Sequence, residues 1–378
     1  MVTIGIDASR ANAPRRTGAE WYAYHLIQAL KRLEIPGVAW VLYSRAPLRD
    51  GLERMPAHWC GRIVPWKHLP LWTLCGLSWE LRRRPVDLLF APTHILPLFP
   101  PRRVVTTLHD IGFVRLPNLY AVSNRLAHRL AARRAVRIAD RILTVSEFSR
   151  QEIITAYRVA PGRVSVTANA VDPAVYSSSI TAERRMDVLA RYRLTQPFFL
   201  YLGRLEAKKN VTNILRAFAQ VRQRRGGDDT VALVLAGTPG FGFDRIAAAI
   251  GDAGPDSHLQ LPGYVPEEDV PALIAGARAL VFPGCYEGFG IPILQAQAVG
   301  TPVITANHSA MPEVAGAGAL FVNAQDPAAI AQAMERLLDD AAMHASLRSA
   351  GFLNVRRFSW EHTARRTMDI LLEVLDVG

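Results

Sequence analysis

The segment Phe282-Pro-Gly-Cys-Tyr-Glu287-Gly288-Phe289-Gly290-Ile291-Pro292-Ile-Leu294-Gln295 sets one carboxylate before two glycines and a proline, at the head of an apolar run. Pro292 belongs in a first helical turn, where its missing N–H would be unpaired anyway and its fixed φ is already helical. The spacing predicts a helix from near Ile291, with free N–H groups and a positive dipole end aimed at whatever Glu287 faces. Such an end receives anions. Upstream, Tyr201-Leu-Gly203-Arg204-Leu-Glu206-Ala-Lys208-Lys209-Asn210 carries cations to a second strand-to-helix junction. A guanidinium grips two phosphate oxygens at once, an ammonium adds a point charge, and Gly203 admits a ligand close to the backbone. Asn210 is placed to cap the following helix. One such loop would be an ordinary exposed turn. Two together, with glycines and a helix end, suit a diphosphate.

The first half offers weaker candidates. His109-Asp110 closes the apolar run Val104–Leu108, where a polar pair can merely cap a turn or can hydrogen-bond a ligand hydroxyl. Thr17-Gly18-Ala-Glu20 resembles a loop-to-helix anion site but lacks the full glycine fingerprint of a dinucleotide fold. Ser146-Glu147 reads equally well as a helix cap. Trp66, Trp72 and Trp79, with Leu69, Leu71, Leu74, Leu77 and Arg82–Arg84, form an amphipathic segment. It suits core packing or a bilayer surface, with core packing preferred. Cys285, close to Glu287, reads as a small packed residue.

These residues need elements to position them. Apolar runs alternate with helical patterns, from Thr3–Asp7 to Val164–Ala168 in one series and, after Pro197, from Phe198–Leu202 to Ala319–Val322 in another. One continuous helix is expected over Leu71–Arg84. Strands without polar alternation, separated by helices, predict an α/β chain with parallel, doubly wound sheets. The expected division is a Rossmann-like domain over 1–180, a linker over 181–196, a second such domain over 197–358 and a last helix over 359–378, with Ser359 as its N-cap. Ligands of such sheets bind beyond the carboxyl ends of the strands, so two sheets facing each other would form a cleft lined by the residues above.

Charge narrows the partners. The chain of 378 residues has a formal net charge of +11. Its first 180 residues carry 25 Lys and Arg against 12 Asp and Glu, and the rest carry 19 against 21. The whole excess therefore lies in the first half. A basic half attracts an anionic bilayer, a phosphorylated acceptor or nucleic acid. Because only four of the 44 cations are lysine, an arginine-rich composition explains the Arg:Lys ratio but not the lopsidedness. No helix-turn-helix, zinc or aromatic-sheet signature accompanies the charge, so no specific nucleic acid partner is expected. Cys60, Cys75 and Cys285 show no metal or disulfide spacing, and no apolar run approaches the roughly 18 residues of a spanning helix. Val2–Asp7 reads as a first strand rather than a leader. A cytoplasmic protein, peripheral at the inner face of the cell membrane, is expected.

With these motifs in view, the chain resembles a retaining, sugar-nucleotide-dependent glycosyltransferase of family 4, with the GT-B fold. The pieces that carry the resemblance are Gly203–Asn210, Gly263-Tyr-Val, Glu287–Pro292, Gly300-Thr-Pro-Val-Ile, Glu313-Val and Asp326-Pro. In the first half they are Asp7, Thr17-Gly18, His109-Asp110, Thr144–Glu147 and Asn169-Ala-Val-Asp172. It implies an acceptor-side first domain, a donor-side second domain and a last helix that returns to the first. It further implies that Arg204 and Lys209 bind the donor diphosphate, that Glu287 lies beside the donor sugar, and that the backbone of Gly288, Phe289, Gly290 and Ile291 lies near sugar and phosphate. Gly18 would approach the phosphates, His109 would contact the donor sugar with Asp110 orienting it or meeting the acceptor, and Leu294 and Gln295 would sit by the ribose. The family pattern has a second glutamate where this chain has Gln295. An amide offers a ribose diol one acceptor plus a donor rather than two acceptors, so weaker nucleotide binding is expected, tightened by Gln295→Glu. The donor, GDP- or UDP-linked with mannose preferred, is a substrate and no cofactor is expected. No Asp-x-Asp stands in a suitable loop, so no metal site is expected. The acceptor implied is a glycan or lipid-linked glycan. A GT-B binder or epimerase without transferase activity is the alternative, and a basic nucleic-acid-binding protein the remoter one.

Overall fold

Runs of Val, Ile, Leu and Phe make strands that must be covered on both faces, and helices on both sides of a parallel sheet do that. The computed structural model describes residues 1–66, 71–194, 197–226, 230–254 and 258–376. The chain divides into two units, one of Met1–Arg115, Val122–Asn169 and Ser359–Gly378, the other of Leu116–Ala121 and Ala170–Phe358.

In the first unit the strands are β1 (Val2–Asp7), β2 (Val38–Ser44), β3 (Trp59–Ile63), β4 (Leu88–Ala91), β5 (Arg103–Thr107), β6 (Arg141–Thr144) and β7 (Val164–Val166), in spatial order 3-2-1-4-5-6-7. In the second they are β8 (Phe198–Leu202), β9 (Ala232–Ala236), β10 (Leu259–Gly263), β11 (Ala279–Phe282), β12 (Val303–Ala306) and β13 (Ala319–Val322), in order 10-9-8-11-12-13. Every pairing is parallel. Each sheet reverses its order once, between β1 and β4 and between β8 and β11. At such a reversal the flanking loops diverge and leave a crevice beyond the strand ends. The core strands bear this out in burial: Ile4, Ile6 and Phe90, and Phe198 through Tyr201, are fully buried.

Four expectations are corrected. Strand β3 escapes sequence reading because its exposed edge residues, Cys60 and Gly61, carry no strand signal; Trp59 holds it by stacking on Trp40, ring centroids 4.6 Å apart. The helix expected over Leu71–Arg84 is a π-helical turn, Trp72–Gly76, running into an α-helix, Leu77–Arg83. Gly76 lets the Trp66 ring approach there, since a Cβ would stand 3.1 Å from it. Trp72 is buried and donates its Nε1 hydrogen to the Val64 carbonyl at 2.8 Å, while Trp79 is 58% exposed. Core packing thus claims Trp66 and Trp72 but not Trp79; Leu69 lies outside the described residues.

The linker expected over 181–196 is the third correction. Thr181 caps a helix, Ala182–Arg191, by accepting from Arg184 N–H at 3.1 Å. Arg184, Arg191 and the Tyr192 hydroxyl all converge on the buried carboxylate of Asp269, at 2.7 to 3.0 Å. Two of the charges that read as linker thus reach, half-exposed, to one buried carboxylate of the second unit; Thr195 and Gln196 lie outside the described residues. Fourth, the division between units falls at Asn169/Ala170 rather than at 180. The last helix, Trp360–Asp376, has its Ser359 hydroxyl accepting from His362 N–H at 3.3 Å and belongs to the first unit. There Trp360 stacks on His25, and Thr363 donates to the Ala168 carbonyl at 2.6 Å.

Candidate active site

In the second unit the loops leaving β8 and β11 are joined backbone to backbone. Cys285 N–H donates to the Lys208 carbonyl at 2.9 Å. Asn210 has φ 63° and makes no cap for the helix Val211–Arg224, contrary to expectation. Its amide instead donates to the carbonyls of Pro283 and Ala324, at 2.9 and 2.7 Å, and so ties three strand-end loops together.

On this frame the charges are paired. Lys209 Nζ lies 2.7 and 2.9 Å from the two carboxylate oxygens of Glu287, with both side chains mostly buried. Arg204 Nε lies 3.0 Å from Glu206 Oε1, and Lys208 Nζ 3.5 Å from Oε2 of the same carboxylate. The Arg204 side chain is 57% exposed, free to swing its guanidinium towards an arriving anion. Beneath them the Tyr201 hydroxyl donates to the Arg204 carbonyl at 2.7 Å. Burial, then the charges of Glu287 and Glu206, hold its pKa well above the ordinary 10.

Two glycines make the loops fit. Gly237, at φ 155°, lies so close to Gly203 that a Cβ would land on the Gly203 carbonyl oxygen. Gly284 leaves room for the Glu287 carboxylate, which a Cβ would meet at 2.9 Å. The helix Ile291–Val299 starts after Gly290, at φ 100°, with Pro292 in its first turn and no side-chain cap. Pro292 brings no N–H and Ile293 N–H donates to the Gly290 carbonyl at 2.9 Å, so few donors of this first turn remain for a ligand. Phe289 is buried edge-on against Phe358, ring centroids 5.6 Å apart, and anchors the loop. Leu294 is fully buried, its side chain in the core.

Ser309 and His308, which follow β12, escaped sequence reading. The Ser309 hydroxyl accepts from Glu287 N–H at 2.9 Å and donates to the Glu287 carbonyl at 2.6 Å, while His308 Nε2 lies 3.0 Å from the Cys285 carbonyl. Both fix the backbone that carries Glu287. Their place at a third strand end was the signal available.

Gln295 does not stand alone. Its amide donates to the Tyr176 hydroxyl at 2.7 Å, and that hydroxyl in turn donates to Glu267. Burial raises the Glu267 pKa against the lowering effect of the Tyr176 bond. An ionised carboxylate at 295 could not donate, and Tyr176 has one proton for two carboxylates. The departure from the two-glutamate pattern therefore has a local partner.

In the first unit, Asp7 at the end of β1 is buried, accepts from Ser9 N–H at 3.0 Å and from Thr73 at 3.3 Å, and has its pKa raised by desolvation. Thr17 and Glu20 form a reciprocal capping box around Gly18, the first residue of the helix Gly18–Leu30. Glu20 also pairs with Arg10 at 3.4 Å. A carboxylate thus already occupies part of that helix end. His109 donates from Nε2 to the Pro92 carbonyl at 3.1 Å, which leaves Nδ1 as the acceptor nitrogen, and its ring meets Tyr22 edge-on. Burial lowers its pKa, only partly offset by the Pro92 carbonyl, Asp110 and Glu20. Asp110 Oδ1 caps the turn at Gly112 N–H, 2.8 Å away. Ser146 caps the helix Glu147–Tyr157 through Ser149 N–H at 3.0 Å, which is the bland reading of that pair.

Two reversed parallel sheets, one with a cation-and-glycine corner at its reversal, are the parts of a GT-B glycosyltransferase. Solved structures show the same fold. A sucrose-phosphate synthase from Thermosynechococcus elongatus superposes with a TM-score of 0.78 at 18% identity over all of both chains. The Anabaena protein HepE, solved with UDP-glucose, gives 0.75 at 18% identity over 99% of this chain and 100% of its own. The chain belongs to the glycosyltransferases: residues 190–353 match the family "Glycosyl transferases group 1", and residues 16–175 match "Glycosyltransferase Family 4". The O-antigen chain mannosyltransferase B of Escherichia coli is 32% identical over 297 residues, 77% of this chain and 76% of that protein. A D-inositol 3-phosphate glycosyltransferase of Salinispora tropica is 32% identical over 72% of this chain and 59% of its own length.

Proposed function

We propose that this glycosyltransferase moves a hexosyl unit, mannosyl by preference, from a nucleoside-diphosphate sugar to a glycan or lipid-linked glycan in surface-polysaccharide synthesis, with retention at the anomeric carbon. The single observation that carries the reading is the corner at β8 and β11, where Arg204, Lys209, Glu287 and the start of the helix after Gly290 share one frame. The mannosyltransferase relatives and the UDP-glucose complex of HepE support the substrate class.

Transfer breaks the anomeric C–O bond and builds negative charge on the departing diphosphate. Preorganised positive groups aimed at that charge lower the barrier most. Without ligand, Lys209 is held by Glu287. A diphosphate competes for the ammonium, which releases a Glu287 oxygen to the sugar hydroxyls or to the oxocarbenium-like ring. Arg204 turns its terminal nitrogens to the outer phosphate. The leaving phosphate oxygen accepts the proton of the attacking hydroxyl on the same face, so no covalent nucleophile is required. With two cations and a helix end in place, turnover proceeds without an added divalent metal or cofactor; loss of activity in EDTA would overturn that part.

The neutral Nδ1 of His109 is suited to accept from a sugar hydroxyl, and Gly18 to let a phosphate approach. The enzyme works in the cytoplasm at the inner face of the membrane, where a lipid-linked acceptor is held. A thermal-shift screen across GDP, UDP, ADP and dTDP with their sugars, followed by product analysis, tests the reading. We expect one nucleoside diphosphate to raise the melting temperature and its sugar to appear on the acceptor with unchanged anomeric configuration. No stabilisation by any of them, or an inverted product, would sink it.

A further inference from the structure

The helix Val122–Ile138 of the first unit buries Ala132, Ala135 and Val136. On its outer side Val122, Leu126 and Leu130 recur every fourth residue and are 70%, 58% and 58% exposed. Arg129, Arg133 and Arg137 continue the same spacing along the adjoining face. No apolar partner covers the row among the described residues, and the arginines run on from it where a polar surface would begin.

Beside the second half of this helix lies an open depression of about 450 Å³, lined by Arg133, Arg137, Arg158, Arg163 and Tyr157, with no Asp or Glu in its wall. Arg163 covers the carbonyl end of the helix, donating to Val136 O at 3.0 Å and to Ala139 O. The negative helix end is thereby screened from an incoming anion. Arg133, Arg137 and Arg158 have no carboxylate partner among the described residues, whereas nearby Arg115 and Arg150 are paired with Glu152 and Glu147. The Tyr157 hydroxyl is sealed from solvent without a hydrogen-bond partner. Three exposed guanidinia without a carboxylate partner, gathered on one wall, are an arrangement that an oxyanion would relieve.

The apolar row decides what carries the anion. Arg134 ties the helix to the neighbouring loop by donating to the carbonyls of Leu96, Pro97 and Leu98, and in that loop Leu98 and Phe99 are also exposed. Arg82 covers Phe99 at 3.8 Å, and Trp79 stands exposed on the same short helix as Arg82. A dissolved phosphate or a nucleic acid has no use for exposed Leu, Val and Phe. A bilayer surface takes apolar side chains into its headgroup boundary and anionic charge to the arginines beside them.

We propose that this face docks on an anionic lipid bilayer, with Val122, Leu126 and Leu130 entering the headgroup layer and a lipid phosphate seated among Arg133, Arg137 and Arg158. It gives a location to the membrane side of the function proposed above and needs none of its donor chemistry, so its failure would leave the donor site untouched. The test is flotation of the full chain with vesicles of phosphatidylglycerol in phosphatidylcholine, against phosphatidylcholine alone. Binding only to the former is expected, weakened about 10-fold or more by Arg133→Ala with Arg137→Ala, as two lost attractions of roughly 1 kcal/mol each imply. Leu126→Ser with Leu130→Ser, on exposed side chains that leave the fold intact, should weaken it comparably. Equal binding to both vesicles, or unchanged binding in both double variants, overturns the proposal. So does binding of inorganic pyrophosphate or random duplex DNA in preference to the anionic vesicles.

Discussion

The strand ends of the two units share one topology and carry opposite chemistry. At β8, β11 and β12 the groups are charged, paired and laced together, Lys209 on Glu287 and Arg204 and Lys208 on Glu206. At β1, β4 and β5 they are buried and pushed towards neutrality, with the pKa of Asp7 raised and those of His94 and His109 lowered, chiefly by desolvation. The same crevice can thus be built to receive a charged leaving group or to hold hydroxyl-binding groups without charge. What differs is how far each loop is removed from water. Pairing offsets the cost of taking a charge out of water, while burial of a single group favours its neutral form.

The largest effect expected from breaking this contrast is at the charged corner. Arg204→Ala and Lys209→Ala should each lower kcat by about 10²-fold or more, the size of a lost preorganised donor to developing charge. If only KM rose, the cations would be binding ground state and transition state alike. Glu287→Gln keeps the shape but frees Lys209, so nucleoside diphosphate alone should bind as well or better while transfer falls; a parallel loss of both would place Glu287 outside the sugar step.

The neutral corner predicts a pH effect. His94 is pushed down to about 3 by burial, then by the neighbouring His128, His109 and Arg10, and His109 is lowered for the same first reason. A histidine whose native pKa is depressed takes up its proton only on unfolding. Its stabilising contribution is complete above about pH 6.5 and is lost as pH falls below that value. Melting temperature should therefore drop from pH 7.5 to 5, and less steeply in His94→Leu. An equal slope in that variant would mean that His94 is not the group responsible.

The smallest effect concerns the departure at 295. Gln295→Glu leaves Tyr176 facing two carboxylates with one proton, so a loss of about 1 kcal/mol in stability is expected. Glu267→Gln in the same background, which removes one carboxylate and adds a donor, should recover part of it. Calorimetric titration of the donor nucleotide then separates this cost from the tighter ribose contact that the two-glutamate pattern would supply.

Much of the local structure of the candidate site was legible because its residue types are conformationally and chemically demanding. Glycines at Gly203 and Gly290, a proline at a helix start and clustered cations leave few structural alternatives. Asn210 was misread as a cap because its position in the chain is that of a cap; only the neighbouring Pro283 and Ala324 carbonyls redirect its amide. The segment over 181–196 misled for a related reason, since its charges answer to Asp269, far away in sequence.

The alternation of apolar runs and helical patterns, with glycines at the strand ends, determined by itself that this chain makes two parallel, doubly wound sheets. Local spacing suffices there, because strand burial and backbone φ are properties of short stretches. Tertiary structure alone decided which charges pair, that Ser309 clasps the Glu287 backbone, that Trp72 is core while Trp79 and the Val122, Leu126, Leu130 row are not, and that His109 stays neutral. Those outcomes depend on desolvation and on partners distant in the chain, and neither quantity exists until the chain has folded.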